Sequence, residues 1–176
     1  MDQNLGQEER VLLDDARRHR WYAVGHFVPV DVCDIVRDVI EASRILCVQR
    51  GLEVTSDLPD EPVWADGDFV SLQEIVWKLL ANAVRYTPAG GTIVARVSED
   101  DDQVVVAVCD TGIGLEPREI RRICGAFAQG ECGSAKGVGL GLAIARELAR
   151  AHGGTIGVRS AGRGRGSEFR LTLPSR

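Results

Sequence analysis

The feature that most constrains this chain is an apolar spacing of three and four residues, which occurs in three separate segments. Such spacing places apolar side chains on one face of an α-helix. It predicts amphipathic helices over 32–50, 68–86 and 140–152, each followed by glycine or by proline and glycine. Each helix has a face to bury, and a chain of 176 residues suits one domain with one core.

Runs of β-branched residues between and after these helices predict strands. The runs 92–98 and 103–109 flank an acidic turn, and the runs 155–160 and 167–173 flank a glycine-rich turn. Each pair is therefore predicted to form a hairpin with antiparallel strands. A shorter strand is expected at 52–56.

The glycine-rich segment 111–139 has no sustained periodicity beyond one short predicted helix near 117–123. A connection of this length is uncommon in a compact domain. It predicts either a functional lid or a disordered segment.

Composition excludes several classes of protein. With 44% hydrophobic residues the chain is not intrinsically disordered, and a net charge of -5 with 5% aromatic residues disfavours nucleic-acid binding. Five cysteines without a C-x-x-C pair suggest neither a disulfide framework nor a zinc site. No signal peptide or membrane span is evident, so a cytoplasmic domain is expected, with or without membrane anchoring of a longer parent protein.

A polar stripe on the second predicted helix has a composition suited to magnesium and phosphate. Glu74, Lys78, Asn82 and Arg85 share one helix face. An amide oxygen can hold magnesium, which takes one or two protein ligands plus phosphate oxygens, and arginine can bind the phosphates. The alternative is a solvated face with a Glu74–Lys78 ion pair.

Two glycine-containing segments extend this pattern. Asp110 follows an apolar strand and begins D-T-G-I-G, where a carboxylate can accept a hydrogen bond from the amine of adenine, although D-T-G is also a common turn. The segment 137–142, G-V-G-L-G-L, opens the last helix, whose N–H groups can bind phosphate. It is neither a Walker A loop nor a dinucleotide-binding motif.

Together, the ordered motifs resemble the catalytic and ATP-binding domain of bacterial sensor histidine kinases, in the gyrase, heat-shock chaperone, histidine kinase and MutL superfamily. The resemblance covers about residues 28–174. Its motifs are L-L-A-N-A-x-R-Y-T (79–87), D-T-G-I-G-L (110–115), I-C-G-A-F-A-Q-G (123–130), G-V-G-L-G-L-A-I-A (137–145), A-H-G-G (151–154) and G-R-G-S-E-F (164–169).

The resemblance implies roles at the phosphate end of a nucleotide site. Asn82 matches the magnesium ligand, Arg85 a phosphate-binding cation and Lys136 a lid cation near the γ-phosphate, and these three are the implied catalytic residues. The implied backbone around the phosphates comprises Gly137, Gly139, Leu140 and Gly141.

The resemblance also implies an adenine end. Asp110 matches the carboxylate that binds the adenine amine, Gly112 and Gly114 its supporting turn, and Tyr86 an aromatic side chain along the base. Ser167 is expected to brace Asp110. The lid aromatic is Phe127.

The implied fold is α+β, a two-layer sandwich in which about three helices cover one face of a mixed, mostly antiparallel sheet. The implied function is to bind Mg-ATP and donate the γ-phosphoryl group to a histidine on a separate dimerisation domain in two-component signalling, with a response regulator downstream. Residues 28–176 form the implied ATP-binding domain, and residues 1–27 resemble the end of a preceding dimerisation hairpin and a linker.

The chain departs from the family pattern in three ways. Lys78 stands where the family usually has asparagine and where ATP-hydrolysing clamp proteins have a catalytic glutamate, and Cys124 and Ala128 replace aromatic residues of the lid. The histidines at 19, 26 and 152 precede Arg, Phe and Gly, whereas an acceptor histidine precedes an acidic residue. The acceptor is therefore expected elsewhere.

The alternatives to the implied phosphoryl-transfer function are a non-catalytic nucleotide- or partner-binding module of the same fold and, with less support, an ATP-hydrolysing clamp.

Overall fold

The structure, a computed structural model, describes residues 27–100, 102–129 and 140–176, apart from the side chains of 124–129 and 140. In this part of the chain there are seven strands and four helices. They are β1 (Val28–Asp31), α1 (Val32–Gln49), β2 (Glu53–Asp57), β3 (Trp64–Gly67), α2 (Phe69–Tyr86), β4 (Thr92–Asp100), β5 (Gln103–Asp110), α3 (Pro117–Gln129), α4 (Leu140–Ala151), β6 (Thr155–Arg159) and β7 (Ser167–Pro174).

Five strands form the main sheet in the order β2-β4-β5-β7-β6. β2 pairs with β4 in parallel, and the other three pairings are antiparallel. Both predicted hairpins are present. The sheet is thus mixed and mostly antiparallel, as expected from the resemblance.

One face of this sheet packs against helices. Inward residues of β4, β5 and β7 alternate with outward ones, and their side chains share a single core with the apolar faces of α1, α2 and α4. Ile35, Ile75, Leu79 and Ile93 are among its fully buried residues. The predicted two-layer α+β fold is confirmed.

Two features differ from the sequence predictions. The short helix expected near 117–123 continues as α3 to Gln129. β1 and β3 pair as a separate antiparallel ribbon that the sequence pattern did not predict. Of the segment 1–27 that resembles the end of a dimerisation hairpin and a linker, residues 1–26 lie outside the described residues. Within the described part of the chain, every helix is too short or too polar to cross a bilayer.

The start of α2, the helix with the polar stripe, is fixed by two groups. Asp68 is its N-cap, with Oδ1 accepting from the Ser71 N–H (2.8 Å). The Asp68 N–H donates to Nε2 of the buried His152 (3.1 Å), whose Nδ1 is 2.7 Å from Leu148 O. His152 therefore joins the end of α4 to the start of α2.

The Asp68 cap predicts a pH-dependent contribution to stability. Hydrogen bonds from the Ser71 side chain and backbone lower the pKa of Asp68 below its usual value. A folded-state pKa below the unfolded one means that the stabilisation is complete above the unfolded pKa and is lost as pH falls through the folded pKa. We expect Asp68→Ala to lower the free energy of unfolding by about 1 kcal/mol at neutral pH.

Urea unfolding of both proteins at neutral pH and below about pH 4 measures this difference. The difference in free energy of unfolding between the wild type and Asp68→Ala should be smaller at acid pH. Asp68→Asn is the matched control, because asparagine caps about as well but does not ionise in this range. A difference between wild type and Asp68→Ala that is the same at both pH values would contradict the assignment.

Candidate functional site

Asp110 ends β5, and two neighbouring segments hold its carboxylate. Oδ1 accepts hydrogen bonds from the backbone N–H of Gly112 (2.8 Å) and of Ser167 (3.3 Å), and Oδ2 accepts one from Ser167 Oγ (2.6 Å). Ser167 lies opposite Asp110 in the β5–β7 register. The Asp110 residue is 8% exposed. Its carboxylate has a fixed orientation, and Oδ2 keeps lone-pair capacity for a ligand donor.

Glycines allow three backbone segments to meet beside Asp110. A Cβ on Gly112 would lie 2.4 Å from Tyr86 O, one on Gly114 would lie 2.1 Å from a carbonyl of the β6–β7 turn, and one on Gly166 would lie 1.8 Å from Asp110 O. Gly114 and Gly166 also have φ of 64° and 66°, where side chains are strained. Gly112 and Gly114 were predicted site residues. Gly166 was not, although it falls in the G-R-G-S-E-F motif.

The β6–β7 turn, residues 160–166, is hydrogen-bonded to the loop that follows Asp110. The N–H of Gly164 donates to Ile113 O (2.8 Å), and Ser160 Oγ accepts from the Leu115 N–H (2.9 Å). Ser160 Oγ in turn donates to Gly166 O (2.6 Å). Hydrogen bonds from the β6–β7 turn therefore hold the loop after Asp110 in place. No motif in the sequence indicated this role for Ser160.

Arg163 connects the same turn to α3. Its Nη2 is 2.7 Å from Glu119 Oε1, and its Nε is 3.9 Å from Glu116 Oε1. The second Glu119 oxygen accepts from the Glu116 N–H (2.8 Å) at the start of α3. Arg163 therefore has defined partners in α3 and in the residue before it. The pair is half-exposed, so each contact contributes little alone.

The Asp110 loop contacts the last turn of α2, the helix that carries the polar stripe. The Ile113 N–H donates to Tyr86 O (3.1 Å), so the loop is bonded to the last turn of α2. Asn82 is half-buried and Arg85 is exposed, with its Cζ 5.4 Å from the Tyr86 ring centroid. The structure thus connects the loop after the predicted adenine carboxylate to the end of the helix that carries Asn82 and Arg85.

The ion pair considered as an alternative for the stripe is also present. Lys78 Nζ lies 3.6 Å from Glu74 Oε1. Beyond it, a Cβ on Gly141 would lie 3.3 Å from Lys78 Cδ, so the Lys78 stem passes against the start of α4. The first-turn N–H groups of a helix have no intrahelical partner and carry the positive end of its dipole.

Several predicted site residues cannot be placed. Lys136, Gly137 and Gly139 lie outside the described residues, as do the side chains of Phe127 and Leu140. The same holds for the side chains of the two lid departures, Cys124 and Ala128. Their roles stay predictions.

The candidate metal ligand is the Asn82 amide oxygen. In the described part of the chain, no group of three or more His, Cys, Asp or Glu residues could hold a metal ion. One neutral oxygen is nevertheless enough for magnesium that keeps its waters and is held mainly by nucleotide phosphates. The residues therefore fit a metal that arrives with the nucleotide and not one that is bound alone.

Cys109, next to Asp110, is not suited to act as a nucleophile. Its pKa is raised above the ordinary value, mainly by burial and also by Glu168, whose Oε2 is 3.5 Å from Sγ. The thiol stays protonated, and the thiolate is the reactive form.

Sequence relatives of this chain are sensor kinases. Over 144 residues it is 35% identical to sensor histidine kinase RppB of Synechocystis sp., covering 80% of this chain and 32% of that protein. It is also 31% identical over 174 residues to the sensor-like histidine kinase SenX3 of Mycobacterium bovis, covering 97% of this chain and 42% of the relative. The chain spans less than half the length of these relatives.

Solved structures agree with the sequence relatives. The mycobacterial sensor histidine kinase MprB superposes with a TM-score of 0.69 at 27% identity, over 85% of this chain and 98% of that one. Full-length ShkA, solved in complex with AMPPNP, superposes with a TM-score of 0.74 at 30% identity, over 97% of this chain and 36% of its own. The profile of the Histidine kinase-, DNA gyrase B-, and HSP90-like ATPase family matches residues 67–176. The chain therefore belongs to this ATPase family, in its sensor histidine kinase branch.

Proposed function

We propose that this domain binds Mg-ATP and donates the γ-phosphoryl group to a histidine on a separate dimerisation domain, in two-component signal transduction. The observation that carries the proposal is the way in which the Asp110 carboxylate is buried and hydrogen-bonded. A buried carboxylate is held by Ser167 and Gly112, keeps acceptor capacity on Oδ2, and is followed by a loop bonded to the last turn of α2. This combination suits a base with an amine donor and a polyphosphate.

In this proposal the chain positions the nucleotide and offsets its charge. Asp110 accepts from the adenine amine, the Tyr86 ring lies along the base, and Arg85 and Lys136 bind phosphate oxygens. Asn82 holds the magnesium ion, which supplies charge neutralisation for the phosphates. A neutral imidazole nitrogen forms a bond to the γ-phosphorus while the bond from phosphorus to the ADP oxygen breaks, and ADP leaves with that electron pair.

The partners follow from the same chemistry. The acceptor is a histidine-bearing dimerisation domain, in the same parent chain or in trans, and the phosphoryl group then passes to a response regulator. Nucleic acid and direct membrane contact are not part of the proposal. The domain acts in the cytoplasm, whether or not the parent protein is membrane-anchored.

Calorimetric titration with ADP and ATP tests the binding half of the proposal. We expect dissociation constants between about 1 μM and 1 mM, the range of about 4–8 kcal/mol. GDP is the matched control, because guanine presents an acceptor oxygen where adenine has its amine. Equal affinity for ADP and GDP, or no binding of either, would overturn the proposed site.

Asn82→Ala tests the magnesium assignment. The variant should lose the difference between titrations in magnesium and in EDTA, because the protein ligand to the metal is gone. Arg150→Ala, on the exposed side of α4, is a surface control that should keep the difference between magnesium and EDTA. A response to EDTA in Asn82→Ala equal to that of the wild type would show that Asn82 does not hold the metal.

A further inference from the structure

Lys78 lies at the junction of the two helices that frame the proposed phosphate site. It is one turn before Asn82 on α2, and its Cδ would lie 3.3 Å from a Cβ on Gly141, the second residue of α4. Its Nζ is two bonds farther along the side chain, 3.6 Å from Glu74 Oε1. The Lys78 side chain is 29% exposed. The stem of Lys78 therefore lies against the start of α4, whereas its ammonium is paired with Glu74 on α2 and still meets solvent.

The charges around this junction favour an anion over a metal ion. The first turn of α4 itself contains no acidic residue, and the start of a helix carries the positive end of its dipole. Among the described residues, Glu74 is the one carboxylate within ion-pair distance of Lys78. A protonated amine cannot ligate a metal, and it repels a divalent ion bound at Asn82 one turn away. Phosphate oxygens would meet donors from both helices.

The choice of lysine at this position is itself informative. Of the 21 Lys and Arg residues in the chain, Lys78 and Lys136 alone are lysines. Both fall in segments where phosphates are proposed to bind, as does Arg85. An ammonium is a compact point charge with three donors, which can turn toward phosphate oxygens from a flexible stem.

We propose that Lys78 is a phosphate-binding residue that supplies part of the charge neutralisation otherwise provided by magnesium, so that this domain keeps part of its nucleotide affinity when magnesium is removed. The inference rests on the proposed function, because it assigns Lys78 to the phosphate end of the same nucleotide site.

Calorimetry of Lys78→Met with ADP tests how much the charge of Lys78 contributes to nucleotide affinity. Methionine keeps an unbranched stem against Gly141 and removes the ammonium. We expect the wild type to lose only part of its ADP affinity in EDTA, and Lys78→Met to bind about tenfold more weakly than the wild type in EDTA, the size of one charge-assisted hydrogen bond. In magnesium the variant should differ from the wild type by less than this.

Two variants separate the charge from side effects. Lys78→Arg keeps a cation and should retain most of the affinity in EDTA. Glu74→Gln removes the carboxylate that Lys78→Met leaves unpaired, so Glu74→Gln/Lys78→Met compared with Glu74→Gln should show the same loss. A loss that vanishes in this background would assign the effect to Glu74 and overturn the inference.

Reductive methylation with ¹³C-formaldehyde gives a direct readout, because it keeps the lysine charge and labels only the two lysines and the amino terminus. Lys78→Arg identifies the Lys78 resonance by its disappearance. Addition of ADP in EDTA should shift that resonance. If the wild type binds ADP but this resonance does not shift and Lys78→Met binds equally well, the inference about Lys78 is overturned while the proposed function stands. Absence of any adenine nucleotide binding in either buffer overturns the proposed function and the inference with it.

Discussion

Asp110→Asn is expected to weaken ADP binding by about tenfold to a hundredfold, the 1–3 kcal/mol cost of an unsatisfied buried partner. The reason is the way Asp110 is held. Oδ1 faces two backbone N–H donors, so the amide oxygen of asparagine must take that position. The amide nitrogen then replaces Oδ2, next to Ser167 Oγ, which can rotate to accept from it. A donor would now face the adenine amine.

This orientation predicts a change in base preference as well as a loss of affinity. Inosine nucleotides carry an acceptor oxygen where adenine has its amine. In Asp110→Asn the new amide donor should favour IDP, so the ratio of ADP affinity to IDP affinity should fall about tenfold or more. Calorimetry with both nucleotides measures this ratio. A general disturbance of the fold would weaken both equally.

Ser167→Ala is the matched control. It removes the bond to Oδ2 but leaves both backbone N–H donors on Oδ1, so the carboxylate stays an acceptor. We expect a smaller loss of ADP affinity and no change in base preference. Unchanged ADP binding by Asp110→Asn would remove Asp110 from the adenine role.

The sequence was sufficient for the elements that depend on local pattern. The apolar faces of α1, α2 and α4 have helical spacing, and both hairpins have short turns between β-branched runs, so each was predicted close to its observed bounds. Asp110, Gly112 and Gly114 were identified because they form a contiguous motif. Patterns among neighbouring residues therefore account for most of the helices and strands, and for the Asp110 side of the site.

Long-range pairing accounts for what was not predicted. Trp64 pairs with Asp31 across the whole length of α1, and no local signal marks that register. Gly166 is required because its Cα approaches the carbonyl of Asp110, which depends on the β5–β7 register. The role of Ser160 likewise exists only once the β6–β7 turn folds onto the Asp110 loop. Contacts between distant segments are settled by packing, which the spacing of residues along the chain does not encode.

The geometry of His152 underlies the second large effect, which concerns phosphoryl transfer. A phosphoacceptor histidine needs a free ring nitrogen lone pair that can reach the γ-phosphorus. His152 is 5% exposed, its Nδ1 is bonded to Leu148 O, and its Nε2 accepts from the Asp68 N–H. Neither nitrogen is available. His19 and His26 lie outside the described residues and precede Arg and Phe in place of an acidic residue.

We therefore expect the 176-residue chain, incubated with γ-labelled ATP, to bind nucleotide without labelling itself. Addition of a dimeric helical hairpin that carries an acceptor histidine should place acid-labile, alkali-stable phosphate on the hairpin. The rate should rise with hairpin concentration, since a tether normally supplies that concentration. The same hairpin with its histidine replaced by glutamine is the control for the acceptor, and Asp110→Asn is the control for the nucleotide site. Label on the 176-residue chain alone would show that one of its own histidines is an acceptor, whereas binding without transfer to several hairpins would favour the non-catalytic module.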